Sequence, residues 1–390
     1  MELKKIKLSL KVKRPILAMG SHTKNTICFV KDNFAYITSL HQDLSDPKDF
    51  LEFERDAEYF LKKRPEIIAY DLHPEYQSTK YALSLPTTYL PAGKAGYLLP
   101  TQHHHAHIAS CMLENGLKNQ RVIGVAFDGT GLGIDNRLWG AEFLVCDYKN
   151  FKRRAHLREI PLLGGERAIL EPWRLVAAWL YLAYKDRFLD LGIDFVKGIN
   201  KKKWRVLKKM YLSGFNSPLA SSAGRLFDAA ASLVLEKYKA DFEADLAIKL
   251  EKLATGCRLS LDCARDMRAT GYPFKIIKNR EKYILDPLPI FKQIVLDLKA
   301  KVPKEEIAYR FHLTVAQMIK RACLILRKEN GINRIVLSGG VFKNNLLLRL
   351  SLDLLYQDGF SVFTHKQLSC SDCGISLGQA VIAKFSRTSY

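Results

Sequence analysis

Arg121-Val-Ile-Gly-Val-Ala-Phe-Asp-Gly-Thr-Gly-Leu-Gly133 is the stretch whose reading decides the fold. Its apolar, β-branched run reads as a buried strand, and Asp128 to Gly133 as a polar, glycine-rich turn. Leu138 to Val145 then reads as the returning strand. The same pattern opens the chain. Ile16-Leu-Ala-Met19 leads to a loop, Gly20-Ser-His-Thr-Lys-Asn25, and then to Ile27-Cys-Phe-Val30. Asp32-Asn33 reads as a tight turn into a third strand, Phe34 to Thr38. Two strand–loop–strand units predict two similar lobes facing one another in an α/β fold. Residues 1–13 read as a polar lead-in, 14–119 as the first lobe and 120–390 as the second. Within the second lobe, about 165–270 reads as a helical insertion, with helices at Trp173 to Tyr184, Trp204 to Tyr211, Leu226 to Tyr238 and Ala244 to Ala254.

Glycine loops at strand ends free backbone N–H groups that can cradle phosphate. Asp128-Gly129-Thr130-Gly131 is longer than a hairpin turn needs, which favours phosphate over an ordinary turn. Arg334 to Leu337 reads as another strand running into Ser338-Gly339-Gly340-Val-Phe-Lys-Asn344 and a helix, the carboxyl edge where open α/β sheets bind ligands. Lys24 suits a phosphate, and Asp228 a ribose hydroxyl. For both, plain solvation is the competing reading.

Four of the ten histidines fall in Gln102-His-His-His-Ala-His-Ile-Ala109. On a helix, His103 and His107 lie four apart on one face and can grip one metal ion, whereas His104 and His105 point elsewhere. Asp372, in a loop after a strand and two residues before Gly374, is the best third ligand. Two histidines and an aspartate leave coordination positions open, and suit iron, zinc or manganese alike.

The chain carries 61 basic against 40 acidic residues, a net charge of +21. Lys4 to Arg14 and Lys197 to Lys209 are the basic clusters. They read as solvated faces open to an acidic partner or a nucleotide. No aromatic-interleaved RNA-binding signature or zinc-finger spacing accompanies them, so nucleic acid is not expected. The longest apolar stretch, Leu175 to Tyr184, is too short for a membrane span, and the eight scattered cysteines read as reduced thiols of a cytoplasmic protein.

Blocks in order along the chain resemble the C-terminal domain of HypF-type carbamoyltransferases. They are Pro15-Ile-Leu-Ala-Met-Gly with Lys24-Asn-Thr26, Asp71-Leu-His-Pro-x-Tyr76 with Ser78-Thr79, and the histidine run. Asp128-Gly-Thr-Gly with Leu138-Trp-Gly-x-Glu-Phe143 follows, then Gly164-Gly165 with Glu171-Pro-Trp-Arg174, and Ser222-x-Gly-Arg-Leu-Phe-Asp228. Ser338-Gly-Gly-Val-Phe-x-Asn344 and Asp372-x-Gly-Ile-Ser-Leu-Gly-Gln-Ala380 complete the set.

The resemblance implies an actin-like ATPase fold in which His103, His107 and Asp372 hold a metal. Gly129, Gly131, Gly339 and Gly340 embrace a nucleotide, ATP or carbamoyl-adenylate, with Thr130 and Asn344 beside them. Lys24, Asp128 and Asp372 are the expected catalytic residues. It also implies carbamoyl transfer to the C-terminal cysteine of HypE, for the cyanide ligands of nickel–iron hydrogenase. The family's acylphosphatase, zinc-finger and YrdC-like adenylate-forming domains lie upstream of the matching region, so the expectation is that a separate chain supplies the carbamoyl-adenylate, or that the sequence is a fragment or a diverged relative. Two alternatives stand beside this: threonylcarbamoyl transfer to tRNA adenosine, and a non-catalytic nucleotide-binding partner. This chain departs from the family at Ser371-Asp-Cys-Gly, where Asn-Asp-Gly-Gly is usual, making Cys373 a candidate soft ligand. It also has Phe242-Glu-Ala-Asp245 in place of Tyr-Glu-Gly-Gln.

Overall fold

The structure is a computed structural model and describes residues 2–86, 97–257 and 270–386. Two sheets dominate it. In the first, Leu3–Ala18 pairs antiparallel with Cys28–Thr38 and parallel with Ile67–Asp71, which pairs parallel with Tyr97–Thr101. The second runs in the order Lys275–Asn279, Lys282–Asp286, Phe151–Leu157, Leu138–Cys146, Val122–Leu132, Arg334–Ser338, Ser361–Phe363. Leu219–Ser222 lies parallel to Leu138–Cys146 and joins this sheet from the side.

Between the sheets lies a layer of two helices, His103–Glu114 and Ile375–Phe385, which share one core with residues from both sheets. Residues 103–113 are buried on every side, as befits an interior helix. Its start is capped by Gln102, whose Oε1 accepts from His105 N at 2.8 Å. The two helices cross in backbone contact at Gly378, where a Cβ would come within 1.9 Å of Ala106 O. Any side chain there would push Asp372, on the turn before the second helix, away from the histidines.

A larger core packs Trp173–Tyr184, Ala223–Leu235, Leu288–Lys299 and Lys304–Asn330 against the far face of the second sheet. The helices expected from 165 onward belong to this core, and the strand Leu219–Ser222 runs among them. Residues 258–269 of that expected segment lie outside the described residues. Pro47–Leu61, started by its Asp46 cap and Pro47, covers the outer face of the first sheet.

Three readings need correction. The supposed lead-in is the first half of the strand Leu3–Ala18: Leu3 to Lys7 pair with Phe34 to Thr38, and Ile6, Leu8 and Val12 are buried. The alternation of apolar and lysine residues is a half-buried strand pattern. Asp32-Asn33 is not a turn but an irregularity inside one continuous strand, Cys28–Thr38, with Asp32 at φ 54°. Asp128 to Leu132 likewise stays in the strand, with a register shift between Phe127 and Gly131; the reversal comes later, where Asn136 N donates to Gly133 O.

Candidate active site

Strand ends and helix starts converge between the lobes. Asp71 ends Ile67–Asp71, and His103 and His107 open their helix. Asp128 sits in the bulged strand, and Asp372 begins the short turn Asp372–Gly374. His103 and His107 Nε2 each approach Asp128 Oδ2 at 3.3 Å; their distances to Asp372 Oδ1 are 3.9 and 3.6 Å. One ligand atom from each of these four residues lies within 4.8 Å of every other. Ligands bonded at about 2.0–2.2 Å to one ion stand roughly 3.3–4 Å apart, so the spacing fits a small divalent cation.

The charges fit as well. His103 Nδ1 donates to Asp71 Oδ2 at 2.8 Å, leaving Nε2 for the cluster. Three carboxylates therefore face two buried imidazoles. Burial alone would strip a proton from His103, but Asp71, Asp128 and Asp372 outweigh it and hold the ring protonated well above its usual range. His107 is raised in the same way by Asp128 and Asp372. Burial pushes Asp128 up, yet the two histidines hold it well below the carboxylate range. The Tyr76 phenol is driven up by burial and by the same carboxylates. The histidine and tyrosine shifts describe a pocket that favours positive charge, and that of Asp128 reports the two histidines beside it.

The expected pair His103–His107 and Asp372 are thus brought together, and Asp128, expected at the phosphate, joins them as the fourth member. Cys373 is not part of this group; its carbonyl accepts from Thr26 Oγ1 at 2.9 Å. His104 and His105 stand outside it too. Burial drops the His104 pKa to about 3, and His105 Nε2 contacts Asp147 O at 2.6 Å. They are buried packing residues. Sequence reasoning missed Asp71 as the group orienting His103, although an acidic residue at a strand end was the available signal.

Asp128 also turns outward. Its Oδ1 accepts from Gly340 N at 2.9 Å, tying the cluster to the Ser338-Gly-Gly loop and to a cavity of about 270 Å³. Lys24, Gly129, Asp228, Gly340 and Asn344 line that cavity, with Arg225 and Glu243. Lys24 is exposed, at φ 48°. Asn344 is already engaged, since its Oδ1 caps the following helix at Leu347 N (2.8 Å) and its Nδ2 lies 3.0 Å from His312 Nε2. Two expected nucleotide glycines serve packing. Gly131 lies under the His103 and His104 rings, and a Cβ on Gly339 (φ +104°) would come within 2.2 Å of Phe127 O. Thr130 is half-buried beside Gly131.

Arg225 and Glu243 stand inside the quoted blocks Ser222 to Asp228 and Phe242 to Asp245, but the sequence singles neither out as a site residue. Arg225 is 2% exposed; its Nη2 donates to Glu243 Oε1 at 3.2 Å, and its Nε lies 2.9 Å from Asp228 Oδ2 without hydrogen-bond geometry. Arg225 Nε and Nη1 and Asp228 Oδ2 are buried with no hydrogen-bond partner among the described residues. Burial raises the Asp228 carboxyl to about 6; Arg225 opposes the shift and Glu243 adds to it. Two further motif blocks are structural. Glu142 is buried against Arg153 (Nε 2.5 Å, Nη2 3.0 Å) and Ser221 (2.6 Å), and Glu171 is held down to about 2, against some burial, by Arg167 and Arg174.

Among the described residues, no helix is long and apolar enough to cross a membrane. A family model described as carbamoyltransferase, Kae1-like domain, second subdomain, matches residues 124–379, and one described as HypF Kae1-like domain matches 11–114. Carbamoyltransferase HypF2 of Cupriavidus necator is 32% identical over 94% of this chain and 46% of its own length. A carbamoyltransferase HypF homolog from the same organism is 31% identical over 95% of this chain and 91% of its own. The crystal structure of full-length HypF in the phosphate- and nucleotide-bound form superposes with a TM-score of 0.87 at 38% identity, covering 98% of this chain and 57% of that one. This chain spans about half the length of HypF2 and similar curated relatives. With both family models matched and the fold shared with HypF, the chain belongs to the HypF carbamoyltransferase family, to the part formed by its Kae1-like domain.

Proposed function

We propose that this chain transfers the carbamoyl group of carbamoyl-adenylate to the C-terminal cysteine of a HypE-like protein, on the route to the cyanide ligands of nickel–iron hydrogenase. The observation that carries the reading is the sharing of Asp128. One carboxylate faces the histidine pair with Oδ2 and the cavity loop with Oδ1. A charge-holding cluster and a ligand cavity are therefore one site.

In this reading Asp228 accepts from a ribose hydroxyl, with Arg225 donating to the hydroxyl oxygens. Lys24 and the Gly340 loop face the phosphate. The acceptor's thiolate attacks the carbamoyl carbon. A C–S bond forms, the C–O bond to phosphate breaks, and AMP leaves with that electron pair while the thiol proton passes to solvent. The anhydride is already activated, so the protein's task is to orient it and to stabilise the charge developing on oxygen. His103, His107, Asp128 and Asp372 would hold a divalent ion, whose chemistry in such a setting is Lewis-acid polarisation of an oxygen. Iron, zinc and manganese all suit this donor set. The adenylate is formed on a YrdC-like domain or chain, with an acylphosphatase-containing protein as a further partner. The HypF homolog of comparable length supports a role for a chain of this size.

Incubation with a competent YrdC-like enzyme, labelled carbamoyl phosphate, ATP and a HypE-like acceptor is expected to label the acceptor's terminal cysteine. Absence of label with both partners shown competent contradicts the proposal. The net charge of +21 favours a second reading, threonylcarbamoyl transfer to tRNA. Salt-sensitive tRNA binding together with modified adenosine would put that reading first. Nucleotide and metal binding with no turnover on either acceptor would leave a non-catalytic binding partner.

A further inference from the structure

The helix Lys201–Ser213 and the turn after it carry a surface that this reaction does not use. From Phe195 to Phe227 the chain has no acidic residue and eight basic ones. Asn200 caps the helix, accepting from Lys203 N at 3.0 Å, and buried Trp204 and Leu207 anchor it to the core. Lys208 is neutralised by Asp186 at 2.7 Å. Lys201, Lys202, Lys203, Arg205 and Lys209 are exposed, and no carboxylate pairs with them among the described residues. Val206, between them, is 60% exposed, and beyond Lys209 Leu212 is 66% and Phe215 74% exposed. Lys202, Val206, Lys209 and Leu212 follow at helical spacing along one solvent-facing stripe. Scattered apolar side chains on a surface are ordinary, whereas exposed apolar residues next to a row of unpaired cations suit a partner that is both acidic and apolar.

The patch is wired to the cavity. Past Phe215, Asn216 O accepts from Gly164 N and Pro218 O from Leu162 N, both at 2.9 Å. The strand Leu219–Ser222 then runs about 13 Å to Ser222, at 3.3 Å per residue. There the Ser222 hydroxyl donates to Gly129 O, and Arg225 enters the cavity wall one turn later.

We infer that this stripe docks an acidic protein surface that also presents apolar side chains. On the reading proposed above, that protein is the acceptor whose thiol takes the carbamoyl group. An acidic partner surface is the electrostatic complement of these unpaired cations. The alternation of cation and aliphatic side chain favours a protein over the other two polyanionic surfaces. Nucleic-acid phosphates gain nothing from burying Val206 and Leu212. A bilayer needs a continuous apolar face, and this helix has already committed Trp204 and Leu207 to the core.

The test compares the full chain with the charge-reversed variant Lys202→Glu/Arg205→Glu/Lys209→Glu and the apolar variant Val206→Ser/Leu212→Ser. Binding and transfer are read separately, with a HypE-like acceptor as the probe. The charge reversal is expected to raise the KM for the acceptor at least ~10-fold and to flatten its salt dependence, with kcat and acceptor-free hydrolysis of carbamoyl-adenylate unchanged. The apolar variant is expected to speed dissociation of the complex. Transfer with an unaltered KM in both variants overturns the docking surface and leaves the transfer reading standing. Binding that is sensitive to the charge reversal but yields no transfer keeps the surface and overturns the transfer reading. Neither binding nor transfer overturns both. Tighter, reversal-sensitive binding to duplex RNA or to phosphatidylserine vesicles than to the acceptor overturns the assignment to a protein.

Discussion

The histidine–aspartate cluster and the Arg225–Asp228–Glu243 wall are both buried and charged, yet they are finished to different degrees. In the cluster His103 is oriented by Asp71, and Asp128 is held by both histidines and by Gly340 N. Asp372 is brought in by two helices in backbone contact at Gly378. In the wall three atoms, Arg225 Nε and Nη1 and Asp228 Oδ2, end without hydrogen-bond partners among the described residues, against one in the cluster, His107 Nδ1. Buried polar groups are normally satisfied, because leaving one bare costs about 1–3 kcal/mol. The cluster is spaced for a small ion, whereas the wall holds a buried Arg225–Asp228 ion pair at 2.9 Å whose hydrogen bonding is incomplete.

The largest effect expected from breaking this contrast lies outside both regions. Glu142→Ala removes the buried carboxylate that faces Arg153 Nε and Nη2, leaving Asp135 and Glu159 near its Nη1, and should cost about 3 kcal/mol in denaturant unfolding. If stability hardly changes, this motif block belongs with the site instead. Next comes the cluster itself. His107→Ala should weaken metal binding by more than ~100-fold in competition with a chelator, and Asp71→Asn by roughly 10–100-fold, as for an outer partner of a ligating histidine. Equal losses would mean that Asp71 is itself a ligand.

The smallest effect concerns the wall. The Asp228 carboxyl sits near 6 in the fold against 3.8 ordinarily, so the folded state binds its proton more tightly. Any stability this proton confers is fully present at low pH and is lost as pH rises through 6. A ribose hydroxyl donates to the ionised form, so nucleotide affinity should climb several-fold from pH 5 to 7 with a midpoint near 6. In Asp228→Asn the profile should be flat. A midpoint that survives this substitution belongs to another group.

The contrast also explains what the sequence could and could not disclose. His103 and His107 are legible from spacing alone, because a helix fixes side chains four apart on one face. Asp372 is legible as the acidic residue in a glycine-containing loop. Asp128 is legible as a catalytic residue at a phosphate loop, but nothing in the chain says that a residue 21 positions beyond His107 returns to join its ligand set; that depends on helix and strand packing. Arg225 is legible only as part of the Ser222-x-Gly-Arg-Leu-Phe-Asp228 block; its burial and its unpartnered Nε and Nη1 depend on tertiary packing. The strand Leu3–Ala18 was masked by its lysines, although Ile6, Leu8 and Val12 carried the two-residue period throughout. The glycines of Asp128 to Gly131 suggested a turn, whereas Gly131 is small because two imidazole rings lie over it.

The central claim is that cluster and cavity form one site joined through Asp128. Calorimetry of a non-hydrolysable ATP analogue, with and without a saturating divalent metal, tests it most directly. The two ligands should change one another's affinity by at least ~5-fold, within the usual range for coupled sites, and Asp128→Asn should abolish that coupling. Identical nucleotide affinity with and without metal in the unaltered chain, where both are shown to bind, would contradict the account.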